Sequence, residues 1–190
     1  MARCTGALEK LLPSEPMTQI LLVAHAPLAS ALLAVAQHVF AERGDGMRAI
    51  DVAAQDDAHE VEVGIRNVLR GLLHDAGERA CVGPAAEGEK RREEAPEKVP
   101  EVLVLVDVFG ATPCNAVLAA ADGLPVRVIT GVSVPMLWRV LSYADKDIDE
   151  LVLSAVAGAA QGAFHASVSR RQNQNTGPAA HDPEHHQHQQ

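Results

Sequence analysis

The chain is poor in aromatic residues, which make up 3% of its 190 positions. Hydrophobic residues nevertheless make up 47%, so a core of ordinary size has to be built from Ala, Val, Leu and Ile. No run approaches the roughly 18 consecutive apolar residues that a membrane-spanning helix requires. The three cysteines, Cys4, Cys81 and Cys114, contain no C-x-x-C pair. This spacing excludes a disulfide framework and favours reduced thiols.

Clustered positive charge is also missing. The formal net charge is -9 at pH 7, and the one basic cluster, residues 90–92, is surrounded by glutamates. Nucleic acid is therefore not expected as a partner, because binding to phosphates needs clustered Lys and Arg. Glu9 and Glu15 stand where a signal peptide would be apolar. Together these features predict a cytoplasmic protein with no membrane span.

The composition changes along the chain in a way that predicts one domain with less patterned flanks. Residues 1–16 are weakly patterned, and Met17 is an alternative start. Residues 17–170 are predicted to form the domain, interrupted at about residues 77–100 by a surface insertion rich in Gly, Pro and charge. Residues 171–190, rich in Gln, Asn, His and Pro, cannot bury apolar surface and are predicted to be disordered.

Within the domain, continuous apolar strands alternate with helical patterns. The predicted strands are residues 18–24, 47–52, 101–107 and 126–130, and the predicted helices are residues 28–42, 56–74, 113–121, 134–143 and 148–161. This alternation is typical of an α/β protein with a flavodoxin-like, doubly wound, mainly parallel sheet of four strands. Phe164, Ala166 and Val168 alternate with polar residues, which predicts an additional edge strand near the C-terminus.

Three predicted strands end in residues that could carry chemistry. His25 ends the first strand, Asp107 ends the third and is followed by Gly110 and Thr112, and Ser133 comes shortly after the fourth. The carboxyl ends of parallel strands meet at one edge of the sheet, where ligands collect. Glycine turns that lead into helix N-termini suit a phosphoryl or another anionic group.

The expected roles follow from the side chains. Asp107 can accept a hydrogen bond from one ring nitrogen of His25 and leave the other nitrogen as a nucleophile. Backbone N–H groups after Gly110, with the hydroxyls of Thr112 and Ser133, are expected to bind phosphoryl oxygens. Taken singly, each has a structural alternative: the histidine can be a turn residue, the acid can brace a loop, and Thr112 is expected to cap the helix. Their coincidence at one sheet edge favours the functional interpretation.

Other signals predict neither a cofactor nor a metal site. The chain has no G-x-x-x-x-G-K-[ST] motif, and no G-x-G-x-x-G follows the first strand. Six residues after Cys114 stands Ala120 rather than the arginine of a phosphatase-like loop. The histidines near the C-terminus are interpreted as part of the polar tail.

Three segments together resemble a known family. Residues 20–25 read I-L-L-V-A-H, residues 107–115 fit D-x-x-G-x-[ST]-P-x-N, and residues 131–137 fit G-V-x-x-P-M-L. By these patterns the chain resembles the IIA component (EIIA) of the mannose family of the bacterial sugar phosphotransferase system (PTS). The resemblance extends over about residues 18–168, outside the predicted insertion.

The resemblance implies a specific reaction. His25 would accept a phosphoryl group from the carrier protein HPr, Asp107 would orient the imidazole, and Thr112 would line the site. The chain would then be a phosphotransferase with a covalent phosphohistidine intermediate and no cofactor. The resemblance also implies a homodimer that exchanges an antiparallel C-terminal edge strand, and transfer of the phosphoryl group to a IIB domain.

No IIB domain follows in this sequence, which leaves the acceptor open. The acceptor is expected to be a separate IIB-type chain, or the phosphorylation state is read by a regulatory partner without sugar transport. The phosphotransfer subunit of a dihydroxyacetone kinase, which shares the fold and a strand-end histidine, is a further alternative. The sequence of residues 112–115, T-P-C-N, fits the mannose pattern better.

Overall fold

The structure is a computed structural model that describes residues 18–44, 46–81 and 100–166. Strands and helices alternate through these residues. The strands are β1 (Gln19–His25), β2 (Arg48–Val52), β3 (Val102–Val106) and β4 (Val126–Thr130), and the helices are α1 (Leu28–Val39), α2 (Ala41–Gly44), α3 (Ala58–Cys81), α4 (Thr112–Ala121), α5 (Val134–Ser142) and α6 (Ile148–Gly162).

The four strands form one parallel sheet in the order β2-β1-β3-β4. In its register His25 is the partner of Val52, and Val23 is the partner of Val106. This architecture confirms the predicted α/β fold with a four-stranded parallel sheet. β2 pairs with one side of β1, and β3, which comes next in the sequence, pairs with the other side of β1. The carboxyl ends of β1 and β3 therefore form a topological switch point.

Helices cover both faces of the sheet, and the core is aliphatic as its composition requires. Leu21 and Val23 of β1 pack on the face covered by α3 and α4. Leu22 and Ala24 pack on the opposite face, against α1, α5 and α6. Since side chains alternate across a strand, continuous apolar strands are what a sheet buried on both faces requires.

Helix α3 corrects one predicted boundary. It continues to Cys81, whereas the sequence predicts an end at residue 74 and an insertion from residue 77. Residues 75–81 contain no proline, and the single Gly77 costs a helix only about 1 kcal/mol, so the helix continues through it. Residues 82–99 of the predicted insertion, like the predicted flanks 1–16 and 171–190, lie outside the described residues.

Two further boundaries differ from the prediction. Residues 28–42 do not form one helix: α1 ends at Val39, the next residue, Phe40, has a non-helical φ of -125° and ψ of 63°, and the short α2 follows. After α6, residues 163–166 enter no strand, and residues 167–169 of the predicted edge strand are outside the described range. A strand exchanged between two copies would pair only in the dimer, so the exchanged strand and the homodimer stay predictions.

Among the helices in the described ranges, none combines the length and the apolar character needed to cross a bilayer.

Gly158 allows α6 to pack closely against α5. A Cβ at this position would lie 2.7 Å from Arg139 Cγ and 2.8 Å from the Pro135 carbonyl oxygen. We therefore expect Gly158→Ala to lower the free energy of unfolding by about 1–3 kcal/mol, because the two helices have to shift apart. Urea denaturation measures this change.

Gly64→Ala in α3 is the matched control, because no atom lies within 4 Å of a Cβ at that position. It should raise the free energy of unfolding by about 0.5–1 kcal/mol, since alanine is favoured over glycine inside a helix. Equal effects of the two substitutions would contradict a packing role for Gly158.

Candidate functional site

The sheet brings His25 and Asp107 into contact at the switch point. His25 is the last residue of β1, and Asp107 directly follows β3. The distance from His25 Nδ1 to Asp107 Oδ2 is 2.6 Å, and the backbone N–H of His25 donates to the same oxygen at 2.9 Å. The backbone N–H of Val108 donates to Asp107 Oδ1 at 2.7 Å. Both carboxylate oxygens are therefore fixed by protein donors.

These contacts favour the ionised form of Asp107. Burial raises the pKa of Asp107, but the hydrogen bonds from His25 and Val108 and the charge of His25 outweigh it, so the pKa lies below its ordinary value of 3.8. An ionised carboxylate only accepts hydrogen bonds. The hydrogen bond to this carboxylate therefore requires a proton on His25 Nδ1, and in the neutral form of the ring Nε2 keeps its lone pair.

The two side chains differ in exposure. The Asp107 side chain is 11% exposed, and the His25 side chain is 51% exposed. The mostly buried carboxylate of Asp107 thus contacts Nδ1 of the ring, and about half of the His25 side chain remains exposed to solvent. In this arrangement Nε2 is the ring nitrogen that can act as a nucleophile.

The loop between β3 and α4 is held by its own residues. Gly110 has a φ of +83°, a conformation that L side chains rarely adopt. Asn115 Nδ2 donates to the Gly110 carbonyl oxygen at 3.1 Å and closes the loop. Helix α4 then begins without a side-chain cap, because its N-cap residue is Ala111. The backbone N–H groups of Thr112 and Cys114 at the start of this helix are therefore not capped by a side chain and can donate to an anion, whereas Pro113 has no N–H.

The prediction that Thr112 caps α4 is wrong. Thr112 is the first helical residue, and Ala111, with extended backbone (φ -83°, ψ 169°), takes the cap position. As a result, the exposed hydroxyl of Thr112 is not used as the cap.

The loop after β4 joins the site through its backbone. The N–H of Gly131 donates to the Asp107 carbonyl oxygen at 2.9 Å, and the N–H of Val132 donates to the Val106 carbonyl oxygen at 2.9 Å. Ser133 caps α5, since its Oγ accepts from the N–H of Met136 at 3.4 Å. Its O–H can still donate to a bound oxygen.

Two polar residues to which the sequence analysis gave no role, Asp51 and Asn115, also shape the site. Asp51 Oδ1 accepts from the N–H of Ser30 at 3.1 Å, at the start of α1. The N–H of Ala26 donates to the Val52 carbonyl oxygen at 2.9 Å, which fixes the turn after His25 against β2. The signal for Asn115 was present in the D-x-x-G-x-[ST]-P-x-N pattern, whereas Asp51 within a short strand carried none.

The hydrogen bonds of the His25 ring, within the part of the chain that the structure describes, go to Asp107 alone. Gly110, Thr112 and Ser133 lie in the loops that leave the same sheet edge but make no hydrogen bond to that ring. Across the same residues, no three His, Cys, Asp or Glu side chains converge as a metal site requires.

The family model EIIA-man, described as the PTS system fructose IIA component, matches residues 86–156. The match includes Asp107, Gly110, Thr112 and Ser133 but does not reach His25. No curated protein matches the chain.

Several solved structures have the same fold. The mannose/sorbose specific IIA subunit of the phosphotransferase system from Enterococcus faecalis has 21% identity and a TM-score of 0.62, over 81% of this chain and 98% of that one. The PTS IIA protein associated with the fucose utilization operon of Streptococcus pneumoniae has 24% identity and a TM-score of 0.57, over 78% and 93%. The phosphotransferase system component EIIA from Streptococcus agalactiae has 19% identity and a TM-score of 0.57, over 78% and 97%. The TM-scores show a shared fold, and with the family match they confirm the predicted resemblance to mannose-family EIIA components.

Proposed function

Because the chain matches the EIIA-man family and has the fold of mannose-family IIA components, we propose that it is a histidine phosphocarrier of the PTS. The family match itself supports a phosphotransfer role in that system. The finer proposal is that His25 accepts a phosphoryl group from phospho-HPr and passes it to a separate IIB-type or regulatory protein. The observation that carries it is the 2.6 Å contact between His25 Nδ1 and Asp107 Oδ2.

In the proposed step, the lone pair of His25 Nε2 attacks the phosphorus of the donor's phosphohistidine. The N–P bond of the donor breaks as the new N–P bond forms, and the donor imidazole keeps the released electron pair. The Nδ1 proton stays with the hydrogen bond to Asp107, so no proton has to leave the ring. The carboxylate of Asp107 offsets the positive charge that the imidazole gains when its second nitrogen forms a bond.

The phosphoryl oxygens would bind at the start of α4. The N–H groups of Thr112 and Cys114 have no side-chain cap, although Pro113 between them has no N–H, and the partial positive charge of a helix N-terminus favours an anion. By contrast, α5 is capped by Ser133 and α6 by Asp147. The O–H groups of Thr112 and Ser133 would donate further hydrogen bonds to the same oxygens. A phosphoryl group replaces the missing cap in this proposal.

Labelling tests the proposal directly. Incubation of the full chain with phosphoenolpyruvate, enzyme I and HPr should attach one phosphoryl group that is labile in acid and stable in alkali. Subsequent addition of a mannose-family IIB protein should remove the label and transfer it to IIB. Absence of any label after incubation with phospho-HPr would overturn the phosphocarrier function. Labelling without discharge to IIB would favour the regulatory outcome.

A further inference from the structure

A groove on the surface of α5 and α6 takes no part in the proposed phosphoryl transfer. Its volume is about 570 Å³, within the range of about 300–1,000 Å³ that is typical of small-molecule sites. Residues of α5 and of the turn after it form one wall, and residues of α6 form the other. Neither His25 nor Asp107 lines it. The groove is therefore a candidate for a second, separate binding site.

Two aromatic side chains line the groove. Trp138 is the only tryptophan of the chain, and Tyr143 is its only tyrosine. The ring of Trp138 packs edge-on against Phe40, with 6.0 Å between the ring centroids and an interplanar angle of 82°. Tyr143 is 40% exposed. Because an aromatic side chain offers a large, flat apolar surface, this pair favours a ligand with a flat apolar body.

Of the described residues that line the groove, only Arg139 carries a charge at neutral pH. Its stem lies against Gly158, where a Cβ would be 2.7 Å from Arg139 Cγ, and its Nη2 donates to Gln161 Oε1 at 3.0 Å. These contacts hold the guanidinium in place before any ligand binds. Within the described part of the chain, Arg139 forms no ion pair. A guanidinium has several N–H donors, so further donors remain for an anion.

The charge of the groove is opposite to that of the chain. The chain has 25 acidic and 16 basic residues, yet no carboxylate is among the described residues that line the groove. A metal ion or an organic cation would therefore meet a positive charge and no carboxylate oxygen. A carboxylate or a phosphate meets a guanidinium whose planar geometry matches its own. One guanidinium suits one anionic group.

We propose that this groove binds a small organic anion. Its flat apolar body packs on Trp138 and Tyr143, and its single carboxylate or phosphate group pairs with Arg139. Burial of the flat body supplies affinity, and the guanidinium selects for the anion and orients it. Binding at this groove requires no phosphoryl transfer, so the inference is independent of the proposed function.

Trp138 reports on binding, because the single tryptophan gives a single indole N–H signal in a nitrogen–proton correlation NMR spectrum of the full chain. Titration with cinnamate, a flat carboxylate, should shift this signal saturably. Cinnamamide, a neutral molecule of the same shape, should bind about 10-fold more weakly or worse, since it cannot form the charge-assisted hydrogen bonds to Arg139. No shift at about 10 mM cinnamate, or equal affinity for the two probes, would overturn the proposal.

Arg139→Gln tests the charge directly. It should weaken cinnamate binding by about 10-fold or more and leave cinnamamide binding unchanged. Arg127→Gln is the matched control, because Arg127 is an exposed arginine of β4 that pairs with Glu101 and Asp149 and does not line the groove. This variant should bind cinnamate as wild type does.

Ser142→Phe tests the groove without touching Arg139. Ser142 is exposed and lines the groove, so a larger side chain there fills the space without entering the core. Binding of both probes should be lost, while thermal unfolding stays close to that of wild type. Undiminished cinnamate binding in Ser142→Phe or in Arg139→Gln would overturn the proposal.

The remaining outcomes separate this site from other occupants and from the proposed function. If the indole signal moves with protein concentration but not with cinnamate, a second copy covers the groove and the proposal fails. Wild type that binds cinnamate but accepts no label from phospho-HPr would support the groove and contradict the phosphocarrier function. His25→Ala should bind cinnamate as wild type does, because His25 does not line the groove.

Discussion

His25→Ala is expected to abolish transfer of the phosphoryl group from phospho-HPr to the chain. The substitution removes the Nε2 lone pair, and loss of a nucleophile costs catalysis at least about 10³-fold. Because the side chain of His25 is 51% exposed, its removal leaves no cavity in the core, and the fold should persist. The measurement is acid-labile label per chain, with thermal unfolding of the same sample to confirm that the variant is folded.

A second histidine provides the control for this experiment. His74 on α3 is 70% exposed and, like His25, lies beside a carboxylate, since its Nε2 is 3.8 Å from Glu78 Oε1. His74→Ala should keep full labelling, because a histidine near an acid on a helix surface has neither the fixed orientation nor the helix N-terminus of the proposed site. Label that survives His25→Ala and disappears in His74→Ala would place the phosphorylated residue elsewhere.

That His25 and Asp107 lie at the same edge of the sheet was predictable from the sequence, although 82 positions separate them. Each stands where a buried strand ends, and parallel strands place their carboxyl ends along one edge. The sequence does not show the order of the strands, so it predicts only that the two residues share an edge. Their contact requires β1 and β3 to be neighbours, which is a property of long-range pairing.

The structural features that the sequence did not predict depend on small differences in local free energy. Ala111 takes the cap position of α4, although Thr112 has the side chain that could serve as a cap. The end of α3 was equally hard to predict, because one glycine inside a helix shifts the balance by only about 1 kcal/mol. The bond from Asn115 to the Gly110 carbonyl closes a loop whose shape the spacing alone does not specify. Sequence patterns therefore predicted which residues lie close together. They predicted less well which of their atoms form hydrogen bonds.

Asp107→Asn should slow phosphoryl transfer from HPr by roughly 100-fold, within the 10²–10⁴-fold range that positioned acid–base groups contribute. The amide keeps the shape of the side chain but loses the negative charge that stabilises the imidazole during transfer. An amide can also present its NH₂ group to Nδ1, which would place the ring proton on Nε2 and block the nucleophile. Since Asp107 is only 11% exposed, KM for HPr should change little, and the effect should appear in kcat.

The same substitution gives a pH-dependent change in stability whose sign follows from the pKa. The pKa of Asp107 is lowered in the folded protein from its ordinary value of 3.8, so its ionised form stabilises the fold above that pH. This contribution is lost as the pH falls from 3.8 through the lowered pKa. We therefore expect wild type to exceed Asp107→Asn in free energy of unfolding at pH 7, and the difference to vanish in strong acid.

Asp145→Asn, in the exposed turn after α5, is the control and should show no such convergence. A difference between wild type and Asp107→Asn that stays constant down to pH 2 would contradict stabilisation by the ionised carboxylate, whereas an unchanged kcat would contradict its orienting role.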